Sequence, residues 1–184
     1  MKSKEILFPG LAVYSNLNVS DQLIKDIEEY AGINNKTWEH PRQNPKKYNM
    51  LQIAFPSADK GSDINSAKIN DQLQVIQDCL ENYCATYEVS YNPAESTHWN
   101  ILKYDVGHKF TRHHDDDGDF KSRISLVFYL NDDYEGGELF FHHLNLKIKP
   151  QANDLVIFPS SYLFSHSTKP VISGTRYSIT RFLS

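Results

Sequence analysis

Tyr104-Asp-Val-Gly107-His-Lys-Phe110-Thr-Arg-His113-His114-Asp115 is the stretch that decides the fold and the chemistry of this chain. Residues i and i+2 of a β-strand project to the same face. His113 and Asp115 can therefore address one metal ion, while His114 projects the other way. A histidine from a distant strand would complete a set of two histidines and one carboxylate. Three protein ligands on one face leave three coordination positions open, the arrangement that non-haem Fe(II) uses to activate O2. His142, His143 and His166 are the candidates for the distal ligand. Arg176 is a planar, permanently charged fork that suits the far end of a small dicarboxylate in the same pocket. Gly107 permits a tight turn into the ligand strand.

Strand patterns extend from His98 to the end of the chain. The candidates are His98–Tyr104, Phe110–His114, Ile124–Leu130, Glu138–His142, Leu144–Ile148, Asp154–Phe158, Leu163–Ser167 and Gly174–Leu183. Turn signals at Asp105–Gly107, Asp116–Asp119, Asn131–Gly137 and Gln151–Asn153 separate them. The first half is mixed. Leu7–Tyr14 reads as a strand, and Ser20 can cap a short helix over Asp21–Tyr30. Ser62–Tyr87 reads as the main helix, with Ile64, Ile69, Leu73, Ile76, Leu80, Tyr83 and Tyr87 near one stripe and a polar opposite face. Gly32–Ser62 is rich in Pro, Asn and aromatics and reads as a long loop. Many short strands after a helical start predict an α+β, mainly β chain: a double-stranded β-helix, or jelly roll, with N-terminal helices on one outer face. The expected organisation is one domain over 1–184, with a helical part at 1–97 and the β core at 98–184.

The 184 residues suffice for one sizeable core. Hydrophobic content of 40% and charged content of 23% describe a soluble globular domain. A net charge of −4 gives no electrostatic case for bulk nucleic-acid binding. Cys79 and Cys84, at i and i+5 of a helix, face different sides, which favours reduced thiols over a disulfide. No stretch approaches the roughly 18 apolar residues of a membrane span. The N-terminus lacks the apolar run of a signal peptide. A cytoplasmic location is therefore expected.

Four segments together carry a family resemblance. The Tyr104–Asp115 stretch resembles the first metal motif of the prolyl-4-hydroxylase-like 2-oxoglutarate/Fe(II) dioxygenases. Ser125-Leu-Val-Phe-Tyr129-Leu-Asn131 and Gly136-Gly137-Glu138-Leu139 resemble that family's central strands. His166-Ser-Thr-Lys-Pro170-Val-Ile-Ser-Gly174-Thr-Arg176-Tyr-Ser178 resembles its segment bearing the distal histidine and the cosubstrate arginine. The resemblance spans Trp99–Phe182. It implies Fe(II) held by His113, Asp115 and His166. It also implies 2-oxoglutarate chelating that iron and meeting Arg176, with Tyr104, Tyr129 and Ser178 as secondary contacts. O2 would be consumed, succinate and CO2 released and a C–H bond hydroxylated, with ascorbate as an accessory reductant. The carboxylate at Asp115 favours hydroxylation over halogenation, since related halogenases carry a small residue there.

The same resemblance favours a peptide or protein proline as substrate. A demethylase of alkylated nucleic acid is the second reading. It would use two arginines on the terminal strand, yet Arg176 and Arg181 are five apart and so face opposite ways. A non-enzymatic jelly-roll binding module is the third. Arg181 is expected in a surface or inter-sheet ion pair, His142 and His143 as strand residues near a turn, and Asp116, Asp117 and Asp119 as a solvated turn. His108 and His40 carry no expected metal role. Gly32–Ser62, with Trp38, Arg42 and Tyr48, and the Asp116–Ser122 turn are expected to line the entrance to the iron site.

Overall fold

The computed structural model describes residues 3–19, 21–33, 48–54, 64–92, 98–116 and 121–184. Its largest sheet has seven strands. They are β1 (Ser3–Phe8), β2 (Leu11–Ser15), β3 (Asn49–Ala54), β4 (His98–Tyr104), β6 (Ile124–Tyr129), β10 (Leu155–Pro159) and β13 (Arg176–Leu183). They lie in the order β1-β2-β10-β6-β13-β4-β3, each pair antiparallel. A second sheet joins β5 (Phe110–His113), β11 (His166–Thr168), β8 (Leu139–Phe141) and β9 (Leu146–Ile148) in the order β5-β11-β8-β9. A two-stranded ribbon pairs β7 (Glu135–Gly136) with β12 (Val171–Ser173).

Alternation along the strands separates two cores. On β6, Ile124, Leu126 and Phe128 face the helices α1 (Leu23–Ile33), α2 (Ile64–Gln72) and α3 (Gln74–Tyr87), where they meet Leu23, Ile27, Ile69, Ile76, Leu80 and Tyr83. Val127 and Tyr129 face the second sheet, where they join Leu139, Phe141, Phe158 and Phe164. A fully buried aliphatic or aromatic side chain contributes about 1.5–3 kcal/mol, so these faces fix which way each strand turns. On β13 the same parity sends Ile179 and Leu183 to the helices. Arg176 and Ser178 go to the inner face. The helices therefore seal the back of the large sheet, and the site forms between the two sheets.

The jelly roll and the helix-covered outer face match the expectation. Several boundaries do not. Leu7–Tyr14 is not one strand: Pro9 and Gly10 turn the chain between β1 and β2, with Gly10 at φ +86°. The long helix is two, α2 and α3, broken at Leu73, whose amide donates to both Ile69 and Asn70 carbonyls. The region read as an irregular loop contains β3, in which Asn49, Leu51 and Ile53 alternate as buried residues. Residues 1–97 thus supply three strands of the main sheet, β1, β2 and β3. β7 lies in the expected turn Asn131–Gly137, β12 lies between two expected strands, and Leu163–Ser167 divides into a 3-10 turn (Tyr162–Phe164) and β11. The capping residue Ser20 lies outside the described residues. No described helix is long and apolar enough to cross a membrane.

Asp26 clamps α1 to α2. It is 5% exposed and accepts from Lys68 Nζ at 2.7 Å and Gln72 Nε2 at 2.8 Å. Burial raises its carboxyl, but the Lys68 and Gln72 hydrogen bonds and the Lys68 charge outweigh this and hold it below the ordinary value. A depressed folded pKa places its stabilising contribution above the unfolded value of about 3.9. The contribution is lost as pH falls through the folded value. Asp26→Ala should lower stability at pH 7 by about 1–3 kcal/mol and flatten the acid limb of the stability profile. Urea unfolding repeated from neutral to acid pH measures both.

Candidate active site

β5 and β11 pair antiparallel with His113 directly opposite His166. β5 ends at His113, and Asp115 follows on a segment tied to the end of β10. The amides of Asp115 and Asp116 donate to the Ser160 carbonyl at 3.2 and 3.1 Å. Asp115 Oδ1 lies 3.4 Å from His113 Nε2, and Oδ2 lies 3.8 Å from His166 Nε2. One ligand atom from each of the three residues falls within 4.8 Å of the others. His114 is exposed on the other side.

The protonation states suit a divalent metal. His113 Nδ1 lies 2.8 Å from the Thr111 carbonyl and His166 Nδ1 lies 3.0 Å from the Phe164 carbonyl. A carbonyl only accepts, so each Nδ1 carries the proton and each Nε2 offers its lone pair inward. Burial pushes His166 down to about 4, against the opposing pull of Asp115. Burial would raise Asp115, but its contacts with His113, His166 and Ser125 outweigh that and keep it ionised. Two inward Nε2 atoms and one carboxylate are the donor set that binding of a divalent ion needs.

Aromatic rings fix this set. Phe110 stacks on His113 with centroids 3.9 Å apart, and Tyr48 stacks on Phe110 at 5.2 Å. Phe158 meets the His166 ring edge-on at 5.0 Å. The Ser125 hydroxyl donates to Asp115 Oδ2 at 2.6 Å.

Beside the triad, β13 carries Arg176, which is 2% exposed. Register sets Arg176 opposite Tyr104 on β4 and Ser178 opposite Tyr129 on β6. The guanidinium carbon lies 4.6 Å from the Tyr104 ring centroid and 4.8 Å from that of Tyr129. Tyr104 is engaged with Thr168. Arg176 Nε and Nη1, the hydroxyls of Tyr129 and Tyr134, and Ser178 Oγ are all buried without a hydrogen-bond partner. Leaving one such group unsatisfied costs about 1–3 kcal/mol. These buried groups, with the Tyr129 and Tyr134 hydroxyls set against Arg176 itself, form a cradle for a carboxylate, so the residues present fit the far end of a dicarboxylate cosubstrate as well as the metal.

His113, Asp115 and His166 therefore come together as expected, and Arg176, Tyr104, Tyr129 and Ser178 gather next to them. His142 and His143 do not join the set: His142 Nε2 contacts Ser167 Oγ at 3.0 Å and His143 Nε2 contacts Arg112 at 2.9 Å. His108 Nδ1 accepts the Asp105 amide within the turn at Gly107. Arg181 is not the surface residue that the sequence suggested. It is 4% exposed on the helix side, packed on Trp99 at 5.3 Å, and donates to Gln77 Oε1 at 3.2 Å. Of the expected entrance segments, Trp38, Arg42, Asp117 and Asp119 lie outside the described residues, as does His40. Tyr48 is described, against Phe110 and Tyr104. Three residues escaped the sequence reading. Ser125 shares the inner parity of Val127 and Tyr129 on β6 and could have been found that way. Tyr134 and Ser160 lie in turns and carry no local signal.

Residues 99–184 match the family model of the 2OG-Fe(II) oxygenase superfamily. A putative prolyl 4-hydroxylase of Acanthamoeba polyphaga mimivirus is 27% identical over 197 residues, covering 88% of this chain and 81% of that protein. Two solved structures share the fold. A Trichoplax adhaerens prolyl hydroxylase in complex with a hypoxia inducible factor oxygen degradation domain peptide superposes with a TM-score of 0.70 at 19% identity, covering 95% of this chain and 83% of that one. The viral collagen prolyl hydroxylase of Paramecium Bursaria Chlorella virus-1, in its 2OG complex, gives 0.66 at 19% identity, covering 95% and 94%.

Gly137 keeps the Arg176 cradle open. It sits at φ +65°, and a β-carbon there would stand 3.0 Å from Tyr134 Cε2 and 3.1 Å from Arg176 Cδ. Gly137→Ala should destabilise the protein by more than about 1 kcal/mol, because the backbone conformation excludes a side chain. It should also weaken cosubstrate binding. Thermal unfolding with and without 2-oxoglutarate measures the two effects separately.

Proposed function

We propose that this chain, a member of the 2OG-Fe(II) oxygenase superfamily through residues 99–184, hydroxylates a proline in a peptide or protein. 2-Oxoglutarate is the cosubstrate, O2 the oxidant, and succinate and CO2 the co-products. The observation that carries the reading is the convergence of His113, Asp115 and His166 beside the buried, unsatisfied Arg176. Support for proline comes from the similar proteins, which are prolyl hydroxylases by name, one of them in complex with a peptide.

In this reading His113, Asp115 and His166 hold Fe(II), which when bound couples decarboxylation of 2-oxoglutarate to activation of O2. The chain's own residues bind, orient and exclude water. Arg176 receives the far carboxylate of 2-oxoglutarate, while Tyr129, Tyr134 and Ser178 donate to it. Tyr104 supports the guanidinium through its ring. A buried carboxylate left unpaired is costly, so this cradle fixes both the length and the direction of the cosubstrate. The hydrogen bonds at each Nδ1 keep both imidazoles turned toward the metal position. Tyr48, Phe110 and Phe158 give the centre dry walls, which strengthens every electrostatic contact inside it. Tyr48 stacks on Phe110 next to the metal position, and the proposal keeps for Gly32–Ser62 and Asp116–Ser122 the role of meeting an extended peptide.

The demethylase reading loses its second arginine, because Arg181 packs among the helices on the far side of the sheet. Ascorbate as accessory reductant and a cytoplasmic location complete the proposal.

Incubation of the purified protein with Fe(II), 2-oxoglutarate and proline-containing peptides should yield succinate and a peptide mass gain of one oxygen atom. Turnover stimulated by methylated nucleic acid but not by any peptide would overturn the proline assignment. Arg176→Ala should weaken 2-oxoglutarate binding by about 2–5 kcal/mol, the cost of removing one partner from a buried charge pair. Metal binding should persist. Anaerobic calorimetric titration with Mn(II) and then 2-oxoglutarate reads both, and an unchanged 2-oxoglutarate affinity would remove Arg176 from the site.

A further inference from the structure

Three buried serines from separate elements form a continuous chain of hydroxyls ending on the ligand carboxylate. Ser122 is 4% exposed, Ser160 1% and Ser125 0%. Ser122 Oγ lies 2.8 Å from Ser160 Oγ, Ser160 Oγ lies 2.7 Å from Ser125 Oγ, and Ser125 Oγ lies 2.6 Å from Asp115 Oδ2.

Each hydroxyl has one proton, which settles the direction of the chain. Asp115 is ionised and only accepts, so Ser125 directs its proton to Oδ2. Ser125 must then accept from Ser160, and Ser160 from Ser122. Ser122 has longer alternatives at the carbonyls of Ile124 (3.2 Å) and Leu183 (3.4 Å). All three hydroxyls thus point toward the carboxylate, and each bond polarises the next. Ser160 holds the same residue a second way, through its carbonyl, which accepts the amides of Asp115 and Asp116.

We propose that Ser125 and Ser160 are positioning residues for the metal centre. Their hydrogen bond restrains Asp115 Oδ2, which lies 3.8 Å from His166 Nε2, and leaves Oδ1, 3.4 Å from His113 Nε2, as the oxygen free to coordinate. This keeps the carboxylate from occupying a second coordination position, which the cosubstrate and O2 need. The inference rests on the iron-binding role proposed for Asp115.

The test compares Ser125→Thr with Ser125→Val in the full-length protein. The two side chains have the same shape and differ by the hydroxyl alone. Co(II) titration followed by visible absorption reports both affinity and ligand field, and competition with a chelator gives Fe(II) affinity. Ser125→Thr should match the wild type. Ser125→Val should bind 10–100-fold more weakly, the usual effect of losing a partner of a metal ligand, with a changed Co(II) spectrum. Ser160→Ala should show a smaller loss on the same measurement, with a metal-free thermal transition confirming that it folds. Equal affinity and identical spectra for the Ser125→Thr and Ser125→Val variants would overturn the positioning role while leaving the metal site standing. Failure of the wild type itself to bind Co(II) or Fe(II) would instead overturn the iron-binding role of Asp115.

Discussion

The register of β5 against β11 is the constraint on which the rest of the site depends. It sets His113 opposite His166, and a slip of one residue would turn every side chain of β5 to the other face. That would replace His113 by Arg112 or His114 at the metal position. The register is held from both sides. On β11, His166 and Thr168 pair with Phe141 and Leu139 of β8, which belong to the apolar layer between the sheets. On β5, Phe110 stacks on His113. The apolar packing that builds the jelly roll is therefore also what aims the imidazoles.

A second constraint is the buried guanidinium of Arg176. No described carboxylate pairs with it, and arginine cannot shed its charge. The fold holds it by packing its planar face near the rings of Tyr104 and Tyr129, an arrangement worth about 2 kcal/mol or more when desolvated. The Tyr129 and Tyr134 hydroxyls also act on it, and none of the described groups around it is an anion. The metal-ligand cluster is the opposite case, with its carboxylate already engaged by Ser125 and its histidines fixed by backbone carbonyls. The metal-ligand cluster is thus paired within the chain, whereas Arg176 is held by aromatic rings.

The helices contribute at a distance. Arg181 stacks on Trp99 and reaches Gln77 on α3, and Lys103 reaches Glu28 on α1 at 3.0 Å. These residues occupy the helix face of the strands whose inner face carries Tyr104, Arg176 and Ser178. Locking one face by parity locks the other. The N-terminal segments are thus part of the scaffold that orients the cosubstrate cradle, even though the family match begins only at residue 99.

Much of this was legible in the chain itself. Period-two alternation determined that Arg176 and Ser178 share a face and that Arg181 opposes them, whereas Asp115, beyond the end of β5, is brought to His113 by its tie to Ser160. The apolar stripe over residues 69–83 determined which side of the helices is buried. These are local properties, decided by backbone geometry within a few residues. Position between segments far apart in sequence was decided by tertiary packing. It put His166 rather than His142 or His143 across from His113. It recruited Asn49–Ala54 as an edge strand, brought Tyr134 over Arg176, and lined Ser122, Ser160 and Ser125 up behind Asp115. A strand pattern states which way a side chain points, but the strand it meets depends on register and sheet order, and only the packed cores fix those.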